Sequence, residues 1–102
     1  MSSPIIEEFN QAMYEIYKHA KSEVKYNANR YLRMLDKHGG LETARILLNA
    51  SSVSEGYITL WEKGRIDLTM EALIYNNPRY YILFSEQELT IVTKRLKDYG
   101  YL

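Results

Sequence analysis

The sequence predicts an all-α protein: a single domain over residues 1–102, built of five to six short helices. Three observations predict it. Apolar residues recur at steps of three and four nearly throughout, the period that gathers side chains on one helix face. Ser, Thr and Gly stand at the offsets that start and stop helices. Strand-type alternation never extends beyond a few residues.

Ile6, Phe9, Met13, Ile16, Tyr17 and Ala20 share one face of a first helix, about residues 4 to 22. Ser3 suits its N-cap and Pro4 its first position, where a missing N–H costs nothing. Glu7 and Glu8 lie near the positive end of the dipole. A shorter helix follows, about residues 28 to 38, with Tyr31, Leu32 and Leu35 inward. "HGG" ends it, Gly39 being free to adopt a left-handed conformation.

"GLETARILLNA" begins another helix with Ala44, Leu47 and Leu48 buried, and Ser51 and Ser52 mark the loop after it. Ser54 caps the next helix, with Val53 and Ile58 at hydrophobic-staple positions. That helix carries Tyr57, Ile58 and Trp61, and Gly64 closes it. Thr69 caps a short helix, with Leu68 and Leu73 as its staple and Glu71 in its first turn. "NNP" breaks the chain, because the residue before a proline avoids helical angles. Ser85 and Glu88 have capping-box spacing, Phe84 and Leu89 staple across them, and Leu89, Val92, Leu96 and Tyr99 run inward to Gly100.

Composition narrows the function. Thirteen Lys+Arg balance thirteen Asp+Glu, so no overall field draws the chain to nucleic acid or anionic lipid. The absence of cysteine excludes disulfides, thiolate nucleophiles and cysteine-based zinc sites, and fits a cytoplasmic location. Neither a signal peptide nor a membrane span is expected. Ten tyrosines suit both the rim of a small core and a contact surface.

Charges beside Trp61 form the densest cluster. Arg65, Asp67 and Glu71 could supply acid, base and anion clamp, the makings of a small hydrolase or nuclease. The same residues could instead hold helix ends, with Arg65 paired to Asp67 or Glu71. The second reading also accounts for Leu68, Thr69 and Leu73, so the cluster is expected to be structural and no catalytic residue is assigned. His19 and His38 lie on different helices and no metal-ligand spacing occurs, so no metal or cofactor is expected. Glu55, Glu62 and Lys63 lack a strand-borne Asp that would complete a nuclease site.

Residues 41 to 63 have a helix-turn-helix outline, but Glu55, Thr59, Glu62 and Lys63 would give its second helix a mainly acidic face. The better contact surface lies earlier. Lys18, Lys21, Lys25, Arg30, Arg33 and Lys37 stand against Glu23 and Asp36, a local excess of four positive charges. Tyr26 and Tyr31 are interleaved, as in single-strand binders. Lys18, Lys21, Lys25, Tyr26, Arg30, Arg33 and Lys37 are therefore the candidate partner-binding residues. The bland alternative is two solvated helix faces balanced by Glu7, Glu8 and Glu15.

The blocks "MLDKHGGLETARILLN", "GYITLWEKGRIDLTMEALI" and "LFSEQELTIVTKRLKDYGY" resemble a small bacterial all-helical domain. Its pattern is Gly-Gly-x-x-x-Ala-x-x-Leu-Leu, then Arg-hydrophobic-Asp-Leu-Thr-x-Glu, Leu-Phe-Thr/Ser-x-x-Glu and Arg-Leu-x-x-x-Gly-Tyr. Gly39, Gly40, Ala44, Leu47 and Leu48 match the first block; Arg65, Asp67, Leu68, Thr69 and Glu71 the second; Leu83, Phe84, Ser85, Glu88, Arg95, Leu96, Gly100 and Tyr101 the rest. Gly56 and Leu60 match in the aromatic helix between, and Ile66 replaces an expected leucine. The resemblance implies a helical fold and brings no reaction or ligand; by association it suggests a phage or mobile-element setting. The leading expectation is a non-enzymatic module, an adaptor or inhibitor that binds another protein. Nucleic-acid binding through residues 18 to 37 is the alternative, and a small hydrolase or nuclease the weaker third.

Overall fold

The computed structural model describes residues 3–102. Among them are five α-helices, α1 (Pro4–Val24), α2 (Asn29–Leu48), α3 (Glu55–Glu62), α4 (Met70–Tyr75) and α5 (Glu86–Asp98), with 3-10 turns at Ile66–Leu68 and Pro78–Leu83 and no strand. The all-α expectation holds. The radius of gyration, 12.7 Å, is that of a packed chain of this length, about 13 Å for 100 residues.

Helix boundaries follow the predicted caps. Ser54, Thr69 and Ser85 each accept a backbone N–H, from Tyr57, Ala72 and Glu88, at 3.1 Å. Glu88 completes the capping box by accepting the Ser85 N–H at 2.9 Å. Ser3 occupies the N-cap of α1 without a side-chain capping bond, so that start rests on Pro4 and the backbone. Three residues past the expected end, Lys25 turns left-handed (φ 57°), and the Tyr26 N–H donates back to the Ala20 carbonyl at 3.1 Å. This is the helix end normally given to glycine.

The two helices expected either side of "HGG" are both present within α2, which is broken at Gly39 by a non-helical backbone (φ 79°, ψ 170°). Gly40 serves a different need. A Cβ there would lie 2.7 Å from Asn10 Cα, so the glycine lets α1 and α2 cross at backbone contact. Asn10 Oδ1 accepts the Leu41 N–H at 3.0 Å and seals the crossing.

α1 and α2 fold back on each other, and α4 lies in the centre against α1 and α5. Phe9, set edge-on to Tyr80 (5.0 Å) and Phe84 (5.5 Å), anchors the main core with Met13, Leu48, Ile74 and Leu96. A smaller cluster of Ala20, Leu60 and Leu68 joins the end of α1 to α3. Trp61 on α3 is 45% exposed and touches Tyr99 edge-on. The 3-10 turn Pro78–Leu83 buries Tyr80 and Leu83 in a stretch with no helical period to announce it. No helix among the described residues is long and apolar enough to cross a membrane.

Candidate functional site

Arg65, Asp67 and Glu71 do not form one cluster. Arg65 grips Asp67 with two bonds, Nε to Oδ1 and Nη2 to Oδ2, both 3.0 Å. Its Nη2 also reaches Glu23 Oε1 at 2.9 Å, tying the turn after α3 to the end of α1. Arg65 holds the Asp67 carboxyl below its ordinary range, and the two acids raise Arg65 in return. Glu71 faces the other way. The 3-10 turn at Ile66–Leu68 leaves Asp67 outside, while the first turn of α4 carries Glu71 into the interior, 4% exposed.

The partner of Glu71 is Arg95, Nη1 to Oε2 at 2.9 Å. Burial raises the Glu71 pKa, and the attraction of Arg95 offsets this only in part. Arg95 also donates to the carbonyls of Leu47 (3.2 Å), Leu48 (3.5 Å), Ala50 (3.4 Å) and Ser52 (3.4 Å). Those are the acceptors that the end of α2 and its following loop leave without N–H partners. Tyr57 Oη in turn donates to the Arg95 carbonyl at 3.0 Å. Sequence reasoning assigned Arg95 no role. The available signal was its place on the inward stripe of α5, where Glu88, Val92, Arg95 and Leu96 are all buried.

The six candidate basic residues are all exposed, and Tyr26 among them is half-buried. Lys18, Lys21 and Lys25 make one stripe on α1 and its cap; Arg30, Arg33 and Lys37 make another on α2. Lys18 lies 3.8 Å from Glu15 and over the Tyr14 ring. The other five form no ion pair among the described residues. Nearby acids are engaged elsewhere: Glu8 with Arg79 at 2.7 Å, and Glu23 with Arg65 and His19. Tyr31 is turned inward, its hydroxyl donating to the Met13 carbonyl at 2.7 Å; burial, then Glu71, pushes its pKa up. Tyr26 packs on the Ala20, Leu60 and Leu68 cluster, and burial, then Glu55, raises its hydroxyl.

The hairpin's turn borders a cleft of about 560 Å³, between the α1–α2 connection, the end of α2 and the start of α3. Tyr17, Tyr26, Tyr31, Met34 and Tyr57 wall it, Thr69, Met70 and Glu71 underlie it, and Arg30 and Glu55 belong to its edge. Of the seven candidate residues, the cleft brings together Tyr26 and Arg30 and leaves the rest outside.

On the helix-turn-helix outline, Glu55, Glu62 and Lys63 are exposed and Thr59 is partly covered, so α3 does present a mainly acidic face. No group of three or more His, Asp or Glu among the described residues is placed to hold a metal ion. No protein-family model, curated protein or solved structure matches the chain.

Proposed function

We propose that this chain is a protein-binding module, an adaptor or inhibitor, that presents the basic α1–α2 hairpin to an acidic surface of a partner. One observation carries the reading: Lys21, Lys25, Arg30, Arg33 and Lys37 are exposed and unpaired on helical stripes, while Glu8, Glu15 and Glu23 bind other residues and Asp36 alone remains among them. A solvated face in balance would pair those acids with these cations. Such a patch steers an acidic partner and sets register more than it supplies raw affinity.

Nucleic-acid binding, the alternative, draws on the same charges but needs stacking platforms. Tyr31 is bonded to Met13 and Tyr26 packs on an apolar cluster, which favours protein over single-stranded nucleic acid. A hydrolase or nuclease centred on Asp67 and Glu71 finds less support, since the two carboxylates bind different arginines.

The test is affinity capture from the host with the wild-type chain and a Lys21→Glu, Arg33→Glu, Lys37→Glu variant. A stoichiometric protein partner should be retained by the first, weakened by salt, and lost by the second. Equal retention by both would sink the reading. Steep salt-dependent binding of DNA or RNA instead would establish the alternative.

A further inference from the structure

We propose that the cleft beside Tyr26 and Arg30 receives one large, uncharged side chain from an extended acidic segment of the partner protein, whose carboxylates lie against Arg30. This inference rests on the binding-module reading and adds the chemistry of the segment that is bound.

Lining and position set the cleft apart. An unfilled space of about 560 Å³ lies within the range of roughly 300 to 1,000 Å³ in which ligands are held. It also sits at the turn of the helices that carry the unpaired basic residues, so a segment lying along α2 passes its mouth.

The walls decide what enters. Tyr26, Tyr31 and Met34 are partly exposed along it and give it an apolar surface with one deformable thioether, while Tyr17 and Tyr57 are buried behind them; Tyr and Met are enriched at contact surfaces. The tyrosine hydroxyls are largely engaged, that of Tyr31 with the Met13 carbonyl and that of Tyr57 with the Arg95 carbonyl. Glu71 at the base already has Arg95 as counter-charge at 2.9 Å. A carboxylate entering would meet Glu71, and a cation would compete with Arg95 while losing its own water. The interior therefore accepts an apolar or aromatic group.

The edge decides what flanks it. Arg30, exposed and unpaired, continues along α2 into Arg33 and Lys37. Glu55, exposed on the α3 side, repels acids there. The acidic residues of the segment therefore fall on the α2 side, and the apolar residue lies between them and α3.

The experiment uses the full chain and fluorescein-labelled synthetic peptides, read by anisotropy. The probe carries a central Phe with glutamates on one side; controls replace Phe by Ala or Glu by Lys, and a labelled oligothymidylate is run in parallel. The Phe–Glu peptide should bind, and the Ala control should be weaker by roughly tenfold or more, the effect of burying one aromatic side chain. Ile46→Trp, which adds bulk at the half-exposed wall, should remove the Phe-over-Ala preference, and Arg30→Glu should weaken both glutamate peptides, each at an unchanged melting temperature. Should Ile46→Trp disturb the fold, Asn27→Trp in the exposed connection takes its place. Equal binding of the Phe and Ala peptides, abolished by reversing Lys21, Arg33 and Lys37, overturns the cleft and leaves the basic-surface reading standing. Binding of no peptide overturns the cleft, and the capture experiment then judges the surface on its own. Tighter binding of the oligothymidylate overturns both.

Discussion

Arg95 and Glu71 meet at 2.9 Å with their side chains 10% and 5% exposed, joining the last turn of α5 to the first turn of α4. The same guanidinium reaches the carbonyls that follow α2, so one side chain closes three elements.

The pair is expected to be asymmetric. Arg95→Met strands a buried carboxylate and leaves the carbonyls after α2 without their donor, and should cost about 3–5 kcal/mol. That is a large share of the roughly 5–15 kcal/mol available to a domain of this size. Glu71→Gln keeps an acceptor, escapes the burial penalty and leaves Arg95 its carbonyls, so it should cost at most about 1 kcal/mol. Urea denaturation measures both. Near-equal large losses would show that the Glu71 charge itself holds the corner.

The pH dependence separates two buried carboxylates. The folded pKa of Glu71 lies above the ordinary 4.5, so the native state holds its proton more tightly than the unfolded chain. Its contribution to stability is greatest below the ordinary value and is lost as pH rises toward the folded one. Glu88 behaves oppositely. Burial would raise it, but the Ser85 backbone N–H and the Asn49 amide hold it below 4.5. Its contribution is present above that value and is lost as pH falls through the folded pKa. The stability of wild type relative to Glu71→Gln should therefore fall with rising pH above about 4.5, and relative to Glu88→Gln should rise with pH below it. Slopes of the same sign would refute the assignment.

Gly39 and Gly40 should fail for different reasons. Gly39→Ala meets open space but a φ of 79° with ψ 170°, a backbone region open essentially only to glycine, at a cost of about 1–3 kcal/mol. Gly40→Ala presses a methyl to 2.7 Å from Asn10 Cα, overpacking that costs about 1–3 kcal/mol and parts α1 from α2. Adding Asn10→Ala should not rescue it, because it removes Oδ1 at 2.8 Å but leaves the backbone Cα at 2.7 Å. Rescue in the double variant would place the obstruction at the Asn10 side chain instead.

Thr43 is fully buried in α2 and its Oγ1 has no hydrogen-bond partner. Thr43→Val keeps the shape and removes the unsatisfied hydroxyl, so it should stabilise by about 1 kcal/mol. A lower melting temperature would mean that the hydroxyl is bonded in solution.

The caps should sort by their bonds. Ser54→Ala, Thr69→Ala and Ser85→Ala each remove an acceptor at 3.1 Å and should cost about 1 kcal/mol. Ser3→Ala removes none and should cost little. An equal loss at Ser3 would contradict the observed N-cap geometry.

Residue order alone determined most helix starts and stops, because capping is a local matter: Ser54, Thr69, Ser85 and Glu88 act on N–H groups three residues away. It also determined that residues 18 to 37 carry excess basic charge. The tertiary structure alone decided which charges meet. Arg65 could have turned to Asp67 or Glu71, and only packing sends Asp67 outward and Glu71 to Arg95, 24 positions away. The cleft likewise exists only where the α1–α2 turn comes up to α3. Local bonds are set by spacing along the chain, whereas long-range pairs and empty space depend on how whole helices are placed, which no single stretch encodes.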